Sequence, residues 1–166
     1  MTAARQPGKS ALALWGLIGL ALGGGIFAPS TCQAAPDERT VVNVNTGLAI
    51  SGFDPVAYFT EGGPKLGRPD VELSQGGTVW RFRNEGNRAA FAGHPDVYTP
   101  RFGGYDPVAI ARGTSVPGHP LVWAVVGERL YLFYSEPARA AFVADPGRVI
   151  QAAERKWPGV ARAIGR

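Results

Sequence analysis

The chain has 166 residues, with 17 lysines and arginines against 13 aspartates and glutamates, and a sequence pI near 9.6. Hydrophobic residues make up 45% and there is a single cysteine. That composition excludes a disordered polyelectrolyte, and one cysteine excludes both an intrachain disulfide and a cysteine cluster for metal. No run of basic residues reads as a nucleic-acid stripe, so no nucleic-acid partner is expected.

Residues 1–34 read as an export signal. Arg5 and Lys9 give a basic start, residues 11–28 are an uncharged apolar run, and Cys32-Gln33-Ala34 places small residues at the last and third-last positions before a cut. Cleavage there removes the only cysteine and leaves 132 of the 166 residues, with 15 basic against 13 acidic and a net charge of +2. That length is enough for one domain with a core of its own. The other reading of the run is an uncleaved anchor in the inner membrane through residues 11–28. Periplasmic export is the expected location.

A short segment, 35–46, precedes the folded part. Asp54-Pro55 then offers a helix N-cap and a proline for the first turn, predicting a helix over 54–59 stopped by Gly62-Gly63. Val71-Glu72-Leu73 and Val79–Phe82 alternate around Gly76-Gly77 and predict a hairpin. Asn84 caps a helix carrying Ala89, Ala90 and Phe91, which His94-Pro95 ends. The same order then returns: Asp106-Pro107 opens a helix to Ala111, strands 122–126 and 130–133 flank Gly127-Glu128, and Ser135 caps a helix carrying Phe142 that ends at Asp145-Pro146. A longer helix over 147–156 follows, stopped by Trp157-Pro158.

The recurrence extends to residue identities. Gly52-Phe53-Asp54-Pro55-Val56-Ala57 returns as Gly104-Tyr105-Asp106-Pro107-Val108-Ala109, an offset of 52. Arg88-Ala89-Ala90-Phe91 returns as Arg139-Ala140-Ala141-Phe142, an offset of 51. Two motifs in the same order at nearly one offset imply a tandem repeat, 52–98 and 104–150. The expected fold is α+β: two repeats of short helix, β-hairpin and helix, packed as one domain with a shared antiparallel sheet.

Gly52–Phe59, the stretch from Trp80-Arg81-Phe82 through Asn87-Arg88 to Phe91, Tyr98 to Gly103-Gly104-Tyr105, Leu130-Tyr131-Leu132 and Trp157-Pro158 resemble the exported YHS-domain family over residues 47–158. Residues 159–166 form a tail. The resemblance implies a binding module, since related YHS and TRASH-type modules are associated with heavy-metal handling. Such modules place cysteine after Asp-Pro-Val, where this chain has Ala57 and Ala109, and around the strand phenylalanine, where it has Arg83, Asn87, Tyr134 and Ala138. The exported relatives carry cysteine after Gly-Gly-Tyr, where Asp106 stands here. Thiolate binding of copper or zinc therefore lacks its ligands.

Two chemistries remain as candidates. His94 and His119 with a carboxylate such as Asp106 or Asp96 would make a nitrogen and oxygen site for a divalent transition metal ion; as residues before proline, both histidines equally read as turn residues. Tyr98, Arg101, Gly104 and Tyr105, with Tyr58 and Trp80, are the candidate lining of a ligand pocket, where glycine admits close approach and tyrosine and arginine donate hydrogen bonds. The bland alternatives are a linker between the repeats and ordinary core aromatics. Asp54 and Asp106 read as helix caps. No nucleophile constellation can be named. The leading expectation is thus a non-enzymatic binding module for a metal or small ligand. The second is an interaction domain for an envelope protein, and the third an enzyme with its site near Gly103-Gly104-Tyr105.

Overall fold

The computed structural model describes residues 40–43 and 45–164. The expected export signal and its cleavage site lie outside them. Among the described residues no helix is long and apolar enough to cross a membrane.

The class is α+β, as expected. A 3-10 turn at Ile50–Gly52 leads to α1 (Ala57–Thr60), strands β1 (Arg68–Gln75) and β2 (Thr78–Phe82), then helices α2 (Glu85–Gly93) and α3 (Pro95–Tyr98). The order repeats with a 3-10 turn at Arg101–Gly104, α4 (Pro107–Ala111), β3 (His119–Val126), β4 (Arg129–Phe133), α5 (Glu136–Ala144) and α6 (Pro146–Ile164). Both hairpins close through two residues of positive φ, Gly76-Gly77 and Gly127-Glu128, the arrangement whose twist matches paired strands. Asn84 and Ser135 cap α2 and α5, their side chains accepting from the backbone N–H of Asn87 and Ala138.

The hairpins form two separate two-stranded antiparallel sheets, β1-β2 and β3-β4, not the single shared sheet expected from the sequence. The reason lies in β4. Leu130 and Leu132 pack into the first core, with Trp80, Phe82 and Phe91, while Tyr131 and Phe133 pack into the second, with Phe102, Ile110 and Phe142. A strand buried on both faces joins the halves by stacking, so edge pairing is not needed. The matching positions of β2 differ: Trp80 and Phe82 face the first core, whereas Arg81 is half-buried and pairs with Glu72 at 2.8 Å.

Each core is closed by one helix phenylalanine. Phe91 lies 4.7 Å from Trp80 and 5.3 Å from Phe82, centroid to centroid, and Phe142 lies 4.9 Å from Tyr131 and 5.0 Å from Phe133.

Both hairpins also break register near the start of their first strand, between Arg68 and Glu72 and between His119 and Trp123. In the second half the displaced backbone finds side-chain partners. The Tyr58 hydroxyl donates to the Pro120 carbonyl at 2.8 Å, and the Leu121 N–H donates to His119 Nδ1 at 3.2 Å. Tyr58 also stands edge-on to Trp123, 5.5 Å between centroids, so it ties α1 of the first half to β3 of the second. Burial, with the Asp54 charge adding to it, pushes its hydroxyl well above the ordinary tyrosine range, so it is a donor at any physiological pH. Tyr58→Phe removes that donor and is expected to lower stability by about 1–2 kcal/mol in urea unfolding, with an unchanged denaturant slope.

Helix α6 runs on to Ile164 and does not stop at Trp157-Pro158. A proline inside a helix costs about 3 kcal/mol. Packing on both sides of it offsets that cost: Trp157, just before it, stands 5.6 Å from Phe102 and 6.1 Å from Tyr105, and Val160, just beyond it, is buried in the second core.

Candidate functional site

A concavity of about 570 Å³ lies between the N-terminal segment and the start of β3. One wall is made by Val41–Asn43 and Ser51–Phe53. The Asn43 side chain accepts from the N–H groups of Asn45 (2.9 Å) and Thr46 (3.2 Å), which turns the chain back so that Val42 pairs antiparallel with Ala49. The Val41 N–H donates to the Gly103 carbonyl at 2.7 Å, and the Val41 carbonyl accepts from the Ile50 N–H at 3.1 Å. This segment is thereby fixed to the 3-10 turns of both halves.

Those turns are conformationally unusual. Ile50, Ser51 and Gly52 have φ of 41, 56 and 79°, and Phe102, Gly103 and Gly104 have 56, 62 and 86°. Three successive left-handed residues cost roughly 1–2 kcal/mol for each that is not glycine. Burial of Ile50 and Phe102, both 1% exposed, holds them there.

The other wall is Pro117–Leu121 with Tyr134. Gly118 donates its N–H to the Gly104 carbonyl at 2.9 Å, and the Tyr134 N–H donates to Asp106 Oδ2 at 3.0 Å, leaving the phenol outside. Val42, Leu121 and Tyr134 are 39, 55 and 67% exposed, three of the six most exposed large hydrophobic residues described. The polar side chains at the groove are those of Asn43, Asn45, Ser51, His119 and Tyr134; among the described residues no lysine, arginine, aspartate or glutamate lines it. Because His119 Nδ1 accepts from Leu121, its ring proton sits on Nε2 in the neutral form. Such a site offers apolar contact and a few neutral hydrogen bonds, and is in the size range of small-molecule clefts.

None of the six ligand-pocket candidates lines this groove. Tyr58 and Trp80 are core residues, each 2% exposed. Tyr98 packs edge-on against Phe59 at 5.4 Å, and Arg101 pairs with Glu154 at 3.3 Å and lies over the Phe102 ring. Gly104 completes the left-handed turn, and Tyr105 lies against Trp157.

The metal candidates are likewise not assembled. His94 ends α2, where its backbone N–H reaches the Ala90 and Phe91 carbonyls, and His119 caps the break in β3. Asp106 is 2% exposed and accepts from the N–H groups of Val108 (2.8 Å), Ala109 (3.4 Å) and Tyr134 (3.0 Å). Among the described residues no three histidine, cysteine, aspartate or glutamate side chains are grouped so as to hold a metal ion. Asp106 and its counterpart Asp54 are structural caps. What sequence reasoning missed is the groove itself, whose walls come from segments more than 60 residues apart in a chain where each reads as an ordinary loop.

Compared with protein-family models, with curated proteins and with solved structures, the chain gives no match.

Proposed function

We propose that this protein is an exported, YHS-like, non-enzymatic binding module whose ligand lies in the groove between Val41–Phe53 and Pro117–Leu121. The family reading rests on the ordered motifs of the sequence. The binding reading rests on one observation: a concavity of about 570 Å³, with no charged side chain among its described lining, rimmed by exposed Val42, Leu121 and Tyr134. Hydrophobic residues left this exposed along one cleft signal a bound partner or ligand. The apolar lining of Val41, Val42, Phe53, Pro117, Pro120 and Leu121 suits an uncharged, largely apolar molecule, oriented by the Asn45 amide, the His119 ring and the Tyr134 hydroxyl.

Titration with a neutral solvatochromic dye such as Nile red tests this directly. Saturable binding of one equivalent is expected, weakened at least tenfold by Leu121→Asp, which places a charge in the apolar wall. Leu121 is 55% exposed, so the variant should keep its stability within about 0.5 kcal/mol. Dye binding that is non-saturable, or indifferent to Leu121→Asp, overturns the reading. The exposure of Tyr134, 67%, favours a second reading in which the groove receives an apolar side chain of an envelope protein. In that case Leu121→Asp abolishes co-purification of the partner while the dye binds only weakly.

A further inference from the structure

The continuation of α6 through Pro158 has an electrostatic consequence. Arg148, Arg155 and Arg162 recur every seven residues, so on one continuous helix they fall along a single stripe about 21 Å long. Had the helix stopped at Trp157, Arg162 would not belong to it. All three are exposed, as is Lys156 beside them. Arg155, Lys156 and Arg162 form no ion pair with a described residue, and Arg148 has only Asp145 at 3.8 Å, with its side chain 84% exposed. Between the arginines on this face stand Gln151, Ala152, Pro158 and Gly159, so no aromatic, large aliphatic or acidic side chain projects among the guanidinium groups.

The charge of the domain is concentrated here. Within the described residues α6 carries four basic side chains against one acidic, Glu154, while all other elements and loops carry nine basic against ten acidic. The positive excess of the described residues therefore resides on α6, in a chain whose composition had suggested no basic face. Next to the stripe, Arg112 of the α4 end and Arg148 line one cavity of about 370 Å³, whose other lining is apolar, including Ala111, Val149 and Ala152. Arg112 too has no ion-pair partner among the described residues.

We propose that the exposed face of α6 docks on an anionic lipid bilayer, with a lipid phosphate received between Arg112 and Arg148. Charge complementarity argues for the bilayer over an acidic protein. The face presents guanidinium groups of which only that of Arg148 has a described acidic neighbour, without an aromatic or large aliphatic anchor of the kind that carries protein–protein affinity. A planar anionic surface needs only a row of such charges, and the cavity beside them joins two guanidinium groups to apolar lining, matching a phosphate joined to hydrocarbon. The docking is expected to be weak and reversible, and to fade with salt, because the charges act over about one Debye length.

The test is co-sedimentation of the full-length protein with vesicles of phosphatidylcholine alone and of phosphatidylcholine with 30% phosphatidylglycerol, in about 20 and about 200 mM salt. Neutral vesicles measure whatever the N-terminal apolar run contributes. Binding to the acidic vesicles is expected to exceed that background in low salt and to fall about fivefold for each charge removed in Arg155→Gln, Arg162→Gln and the double variant. Arg112→Ala should lower it further while leaving Nile red binding intact, which separates this face from the groove. These exposed substitutions should leave thermal unfolding unchanged. Three outcomes overturn the proposal: no excess on acidic vesicles, an excess that survives both arginine substitutions, or retention on immobilised polyglutamate with none on acidic vesicles.

Discussion

Asp54→Ala is expected to destabilise the protein by about 4 kcal/mol, and Asp106→Ala by about 3 kcal/mol, without either residue taking part in chemistry. Asp54 is completely buried and its carboxylate accepts four hydrogen bonds: from the N–H groups of Val56 (2.8 Å), Ala57 (3.3 Å) and Arg83 (2.8 Å), and from the Asn87 amide (2.7 Å). One oxygen holds the turn that leads into α1 and the other holds the end of β2, so the side chain fastens the start of the helix to the hairpin. Asp106 does the same for α4 and β4 with three donors, because Ala138 stands where the first half has Asn87. Hydrogen bonds to a charged acceptor contribute about 1.5–3 kcal/mol each, and removing the acceptor strands the buried donors. Asp54→Asn should rescue little, since its amide group would turn a donor toward donors. Asn87→Ala, which copies the second half, should cost about 1–2 kcal/mol. Urea unfolding of the four variants checks the ranking; an Asp106→Ala loss exceeding that of Asp54→Ala, or a harmless Asp54→Asn, would contradict this account.

These caps were legible in the sequence because their physics is local. Asp-Pro before an apolar turn, Asn84 and Ser135 before their helices, and glycine at the hairpin tips each act within four residues. The stacking of the hairpins was recorded less openly. Leu130-Tyr131-Leu132-Phe133 is apolar on both faces, whereas Val79-Trp80-Arg81-Phe82 alternates. That contrast marks β4 as the strand between two cores, but it emerges only when the two halves are compared position by position. The length of α6 was hidden for a different reason. Pro158 is a stop signal by local rules, and the packing that overrides it depends on Phe102 and Tyr105, more than 50 residues upstream.

The groove was legible least. Its rim residues are apolar side chains in loops, and nothing in their spacing distinguishes an exposed Leu121 from a buried one. Glycine-glycine-tyrosine at 103–105 reads as a place for a ligand, but its glycines answer a backbone need. The first half meets the same need with Ile50 and Ser51 at positive φ, so the requirement belongs to the turn and not to a bound molecule. The basic stripe was equally out of view, since three arginines seven residues apart form a face only if the helix between them is unbroken.

Two other glycines carry a larger penalty than any at a turn. Gly67→Ala and Gly118→Ala are each expected to cost about 3 kcal/mol. A Cβ at Gly67 would lie 2.5 Å from the Arg81 backbone carbon and 2.7 Å from its carbonyl oxygen; at Gly118 it would lie 2.6 Å from both the Gly104 carbonyl oxygen and Leu132 Cβ. These neighbours are backbone or strand atoms that cannot swing aside. At each site the glycine N–H also donates at 2.9 Å to the glycine that ends the left-handed turn, Gly52 or Gly104, so yielding space would break that bond as well. Gly113→Ala is the control: φ is +89° but nothing lies within 4 Å, so only backbone strain of about 1 kcal/mol is expected. Thermal or urea unfolding should rank Gly113→Ala far below the other two, and equal losses at all three would mean that strain, not contact, sets the cost. The pair also divides by function. Gly118 lines the groove and Gly67 does not, so under conditions where both variants remain folded, only Gly118→Ala should weaken Nile red binding. Equal weakening by Gly67→Ala would show that the dye reports on the stability of the fold and not on the groove.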